Sequence, residues 1–69
     1  MKKYALKLTR GDDVKILHVF DDKTTAMTAG AEYRKTISRD VGLLACIEAD
    51  FDDDGNMIGN AYRLLDVIQ

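Results

Sequence analysis

The sequence predicts an α+β fold in a single domain spanning residues 1–69: one antiparallel four-stranded sheet, in chain order β-β-α-β-β, with one helix packed across one face. Three observations carry this. Between Phe20 and Ser38 lies the one clear helical period, with Ala26, Ala29, Gly30, Tyr33 and Ile37 on a single stripe at three-and-four spacing. On either side of it lie two runs with strand character. Each pair of runs is joined by a turn signal, Arg10-Gly11-Asp12-Asp13 in the first and Asp52-Asp53-Asp54-Gly55-Asn56 in the second.

Along the chain, Tyr4, Leu6 and Leu8 alternate with Lys3, Lys7 and Thr9, which describes a strand with one dry and one wet face. Val14 to Phe20 returns as its hairpin partner, rich in β-branched residues but with a blurred alternation: Val14, Ile16 and Phe20 share one face, Leu17 and Val19 the other. At the helix start Asp21 is placed to accept from first-turn amides, Asp22 suits the positive end of the dipole, and Phe20 pins the entering chain. Arg34, Lys35 and Arg39 suit the opposite end. Gly30 in mid-helix costs about 1 kcal/mol relative to alanine. With Ala26 and Ala29 it marks a face kept small so that the helix lies close to the sheet.

Arg39-Asp40-Val41-Gly42 ends the period, and Leu43 to Phe51 forms the third strand with Leu43, Ala45, Ile47, Ala49 and Phe51 on one face. The fourth, from about Met57 to Ile68, carries Ile58, Tyr62, Leu64 and Ile68 on one face. A two-residue turn sets those opposite Phe51 and Ile47, whereas a bulged three-residue turn swaps the faces. The two hairpins share no residues at a fixed period, so the chain is not a repeat.

The strand-into-helix entry Val19-Phe20-Asp21-Asp22-Lys23-Thr24-Thr25-Ala26 resembles that of many small sheet-and-helix modules, the arm-binding domains of tyrosine recombinases among them. Those domains are basic and this chain has a net charge of −2, so the resemblance covers the entry alone and carries no function across.

Sixty-nine residues bury only about 60% of the surface their unfolded chain exposes, so the core is thin. A hydrophobic fraction of 46% without proline or low complexity is nonetheless globular. No apolar run approaches the roughly 18 residues that span a bilayer, and Met1-Lys2-Lys3-Tyr4-Ala5-Leu6 meets Lys7 too soon to form a signal-peptide core. The expectation is a complete, cytoplasmic gene product without membrane contact. Cys46, the only cysteine, has no internal disulfide partner, in keeping with a reducing compartment.

Four constellations bear on function. Asp50, Asp52 and Asp54 ahead of Gly55 match the front half of a calcium loop, but position twelve, counted from Asp50, is Ala61 where a bidentate glutamate belongs. A solvated turn is the expected identity, with no metal and no cofactor. His18 and Cys46, the only imidazole and thiol, sit inside strands with no third ligand or orienting group, so no catalytic residues and no enzyme are expected. Charge is divided: residues 1–20 carry +3, residues 21–40 balance, and residues 41–69 carry −5. Lys3, Lys7, Arg10 and Lys15 are the candidates for a nucleic-acid surface.

The fourth constellation is apolar. One helix covers one sheet face, and the other should be polar. Instead it is expected to gather Leu44, Cys46, Leu65 and Val67, with either Leu17 and Val19 or Val14 and Ile16 from the second strand. The leading expectation is therefore a non-catalytic interaction or regulatory protein, homodimeric through this face and open to other protein partners. The alternative is a nucleic-acid-binding protein using the basic first hairpin.

Overall fold

The computed structural model describes residues 2–69, Arg39 through its backbone alone. Strands β1 (Lys2–Arg10) and β2 (Asp13–Phe20) form the first hairpin; α1 (Lys23–Thr36) follows, then a short 3-10 turn (Arg39–Val41), β3 (Leu43–Asp50) and β4 (Arg63–Ile68). The sheet order is β2-β1-β3-β4 with every neighbouring pair antiparallel, so the four-stranded α+β architecture expected from the sequence is the one observed. No helix among the described residues is long and apolar enough to cross a membrane.

The helix is two to three residues shorter at each end than its period suggested. Asp22, not Asp21, is its N-cap: in extended conformation, it accepts from the Thr25 amide at 2.8 Å and the Thr25 hydroxyl at 2.7 Å. Asp21 instead reaches Lys3 at 3.4 Å. At the other end Ile37 is extended and Ser38 caps the 3-10 turn through the Asp40 amide. Arg34 and Lys35 do lie in the last turn; the Arg39 side chain is outside the described residues.

The bonds from Thr25 to Asp22, backbone first, hold its carboxyl below the usual carboxylate range. A depressed folded value stabilises above the unfolded pKa of about 3.9, and that stability is lost as pH falls through the folded value. Asp22→Asn keeps an acceptor at the cap but removes the titration. Thermal melts of this variant should therefore lose less between neutral and acid pH than those of the parent chain.

The buried stripe is as the spacing indicated. Ala26 and Gly30 are buried, and Ala29, Tyr33 and Ile37 pack half-buried against the same cluster. What the helix covers, however, is the opposite face of β3 from the one expected. Pairing sets Leu44 beside Leu8 and Cys46 beside Leu6, so these two follow the dry face of β1 beneath α1, where both are fully buried. The face carrying Ala45, Ile47, Ala49 and Phe51 is the one without a helix. Alternation alone could not decide this, because both faces of β3 are apolar and the choice depends on register against β1.

Two bulges complete the correction. The β1–β2 register shifts beside Leu17 and the β3–β4 register beside Leu65, so each of these enters the cluster beneath the helix. On β2 this leaves Val14, Ile16 and Val19 on the helix-free face, which accounts for the blurred alternation. On β4 it separates Leu65 and Ile68, beneath the helix, from Leu64 and Val67, which pair with Ile47 and Ala45 on the helix-free face. The second turn is neither of the short forms: Phe51 and Met57 bridge, enclosing five residues, and the next strand begins only at Arg63.

Candidate functional site

The helix-free face is built in rows. Across the sheet run Val14, Thr9 and Leu43; then Ile16, Lys7, Ala45 and Val67; then Val19, Ala5, Ile47 and Leu64; then Lys3 and Ala49. Tyr62, just before β4, lies over the same side, its hydroxyl accepting from the Lys7 ammonium, which also stands 4.2 Å from the ring centroid. Lys7 and Tyr62 come from opposite sides of β3, so the pair spans it. Ala5, Ile47 and Ala49 are almost fully buried with no helix above them, clustered with Phe51 and packed against Val19 and Met57.

Around this covered centre the face is apolar and wet. Six large apolar side chains are 36–56% exposed among the described residues, and five of them, Val14, Ile16, Leu43, Tyr62 and Leu64, belong to this face. The sixth, Ile58, is in the loop before β4. The strands place no carboxylate on it: Glu48, Asp50 and Asp66 pair with residues of the helix side, Glu48 accepting from the Tyr4 hydroxyl and so pushing that phenol up.

Of the residues expected at an interface, Val67 is here, with Val14 and Ile16 of the second-strand alternatives and Val19 but not Leu17 of the other. Leu44, Cys46 and Leu65 lie beneath the helix. Leu65→Lys is therefore a core substitution, not a test of association. Sequence reasoning missed Leu43, Tyr62 and Leu64 as surface residues; the signal was present in the unbroken apolar character of Leu43–Ile47, but not its polarity with respect to the helix.

The basic candidates do not form one surface. Lys3 and Lys7 stand on the helix-free face, while Arg10 and Lys15 line a small hollow with Leu8, Asp13 and Val41 on the other. Lys3 is further paired with Asp21, and Lys7 with Tyr62.

The acidic turn is organised around its own backbone. One oxygen of Asp52 accepts from the amides of Asp54 at 3.0 Å and Asn56 at 2.9 Å, while Asp50 lies 3.6 Å from Lys2. Among the described residues no group of three His, Cys, Asp or Glu is arranged to hold a metal. Millimolar calcium should leave the melting temperature unchanged, and Asp54→Asn should be neutral, whereas Asp52→Ala should cost up to about 1 kcal/mol by releasing the two amides. A calcium-dependent rise in melting temperature that Asp54→Asn removes would reverse this assignment.

His18 and Cys46 share a row on the helix side but Leu6 stands between them, which separates them by two strand spacings, roughly 10 Å. His18 packs its ring on Phe20, centroid to centroid 4.6 Å, and burial pushes the Cys46 thiol up. This arrangement does not make a nucleophile and its base.

No protein-family model matches the chain, and no curated protein or solved structure shows significant similarity to it.

Proposed function

We propose that the chain is a non-catalytic interaction module that acts as a homodimer, joined through the helix-free sheet face. The observation that carries this reading is the gathering of five of the six exposed large apolar side chains on that face. Size supports it: four strands about 4.8 Å apart and roughly eight residues long project a face of roughly 500 Å². Corrugated side chains raise the accessible area above the projection, toward the roughly 800 Å² that each partner of a specific dimer contributes. A second copy also covers apolar surface that a 69-residue core leaves to water.

Sedimentation over a hundredfold concentration range should show a monomer–dimer equilibrium. Leu64→Lys, exposed in the monomer on the β4 edge of the face, should give a folded monomer with association weakened at least tenfold. Ile58→Lys, in the loop before β4 and outside the rows of the face, should leave the dimer intact. A chain that stays monomeric at millimolar concentration would overturn the reading.

A further inference from the structure

We propose that the open edge of β2, on the helix side of the sheet, takes an added strand from a partner protein: an extended segment carrying an apolar side chain and, two residues away, a carboxylate. This site is separate from the helix-free face. β2 is an outer strand of the sheet, so the backbone groups on its far side meet no strand among the described residues. Before its bulge, Asp13–Ile16 pairs regularly with Lys7–Arg10, which leaves a straight stretch for a further ladder.

Two hollows lie beside that edge. The first, of about 370 Å³, has Leu6 as its floor and Leu17, His18, Phe20, Ala29 and Tyr33 as its walls. Leu6 is covered, but each wall residue keeps part of its surface in water, so an arriving side chain can touch all five. The second, of about 130 Å³, is the one where Arg10 and Lys15 stand with Asp13. Both cations are exposed, and neither makes an ion pair among the described residues. Leu6 pairs with His18 and Leu8 with Lys15, so the hollows lie at successive levels of one face, about 7 Å apart. That is the distance between side chains i and i+2 of an extended chain. One residue of an added strand can therefore fill the apolar hollow while the next on the same side reaches Lys15.

Charge selects the occupant. A lysine and a bulge on an edge strand discourage pairing with a second copy, which would bring its own Lys15 to the same edge. A carboxylate is attracted instead. In strand addition the main-chain bonds supply affinity and side-chain pockets of this kind supply specificity.

The test titrates the full chain with short, end-blocked, fluorescein-labelled peptides of threonine and valine that carry one leucine and one glutamate two residues apart. Two such peptides, the glutamate following the leucine in one and preceding it in the other, cover antiparallel and parallel pairing. The better binder should lose about tenfold when its leucine becomes serine and about tenfold when the alternate amides facing β2 are methylated. Against Lys15→Glu it should lose about fivefold, and a peptide with lysine in place of glutamate should recover binding to that variant, which a misfolded chain would not allow. No binding of either peptide at millimolar concentration would overturn the proposal. So would binding that ignores the serine, the methylated amides or Lys15→Glu.

Discussion

Gly30→Leu should leave much of the chain unfolded at 25 °C. Even the first carbon of a side chain at Gly30 would lie 2.2 Å from Ile68 Cδ1 and 2.9 Å from Leu6 Cδ2, both far inside contact distance. The helix is thus held against methyl groups of β1 and β4, not against sheet backbone. Leucine adds three further carbons in the same place, and overpacking of this kind costs about 1–3 kcal/mol or more. A domain of this length holds only about 3–10 kcal/mol in total. Gly30→Ala divides the effect into its parts. Alanine gains about 1 kcal/mol of helix propensity, yet the methyl of Ile68, a residue only 8% exposed, must be displaced to admit it, so the net change should be a loss of about 1 kcal/mol. Ile68→Val removes the carbon that makes the 2.2 Å approach. In that background Gly30→Ala should become neutral or stabilising, a coupling of about 1 kcal/mol measurable by urea denaturation of all four chains. Independent, additive effects would mean that the helix does not rest on Ile68.

Gly42→Ala should be nearly as damaging, for a different reason. Gly42 has φ 150°, and a Cβ there would stand 2.6 Å from the carbonyl oxygen of Thr9. That oxygen belongs to the backbone of β1 where Thr9 pairs with both Val14 and Leu43, so it does not rotate aside as a methyl group does. The carbonyl of Gly42 is itself held, accepting from Arg34 Nη1 at 3.4 Å, which ties the loop to the last turn of the helix. Strain in φ and the overlap each cost about 1–3 kcal/mol, so a loss of roughly 2–5 kcal/mol is expected. Gly55 is the control: its φ is also positive, at 82°, but a Cβ meets nothing within 4 Å. Gly55→Asn should accordingly lose little, since asparagine tolerates this region. Equal losses at the two sites would show that backbone angle, not the approach to Thr9, sets the cost.

The elements were legible because each is written in local residues: the stripe from Ala26 to Ile37, the alternation from Lys3 to Thr9, the two turn signals. The faces were only partly legible. Leu17 and Leu65 are apolar in apolar surroundings, and nothing in either run marks the extra residue that a bulge inserts. Beyond each bulge the alternation continues with its meaning reversed. The expectation of an apolar face opposite the helix was sound in kind. It went to Leu44, Cys46 and Leu65 because the helix was assigned to the wrong side of β3. The choice of side rests on Leu6 and Leu8 meeting Cys46 and Leu44, a pairing between segments nearly forty residues apart. Asp52 shows the same limit on a smaller scale. Its residue type suited a cation ligand, and only the fold of the turn aims its carboxylate at two backbone amides.

The order β2-β1-β3-β4 also sets the sequence of events by which the chain becomes a domain. Its first hairpin closes locally, but the two central strands pair residues 34 to 48 positions apart. Closing a loop of about 34 residues instead of about three costs roughly 2 kcal/mol more in chain entropy. During synthesis β1 emerges first and waits for β3, with Leu6 and Leu8 bare on one side of an isolated hairpin until α1 and β3 are both available to cover them. A two-stranded ribbon is at best marginally stable. Folding is therefore gated by the arrival of Leu44 and Cys46, and substitutions at these two positions should slow refolding more than equally destabilising ones at the β2 edge.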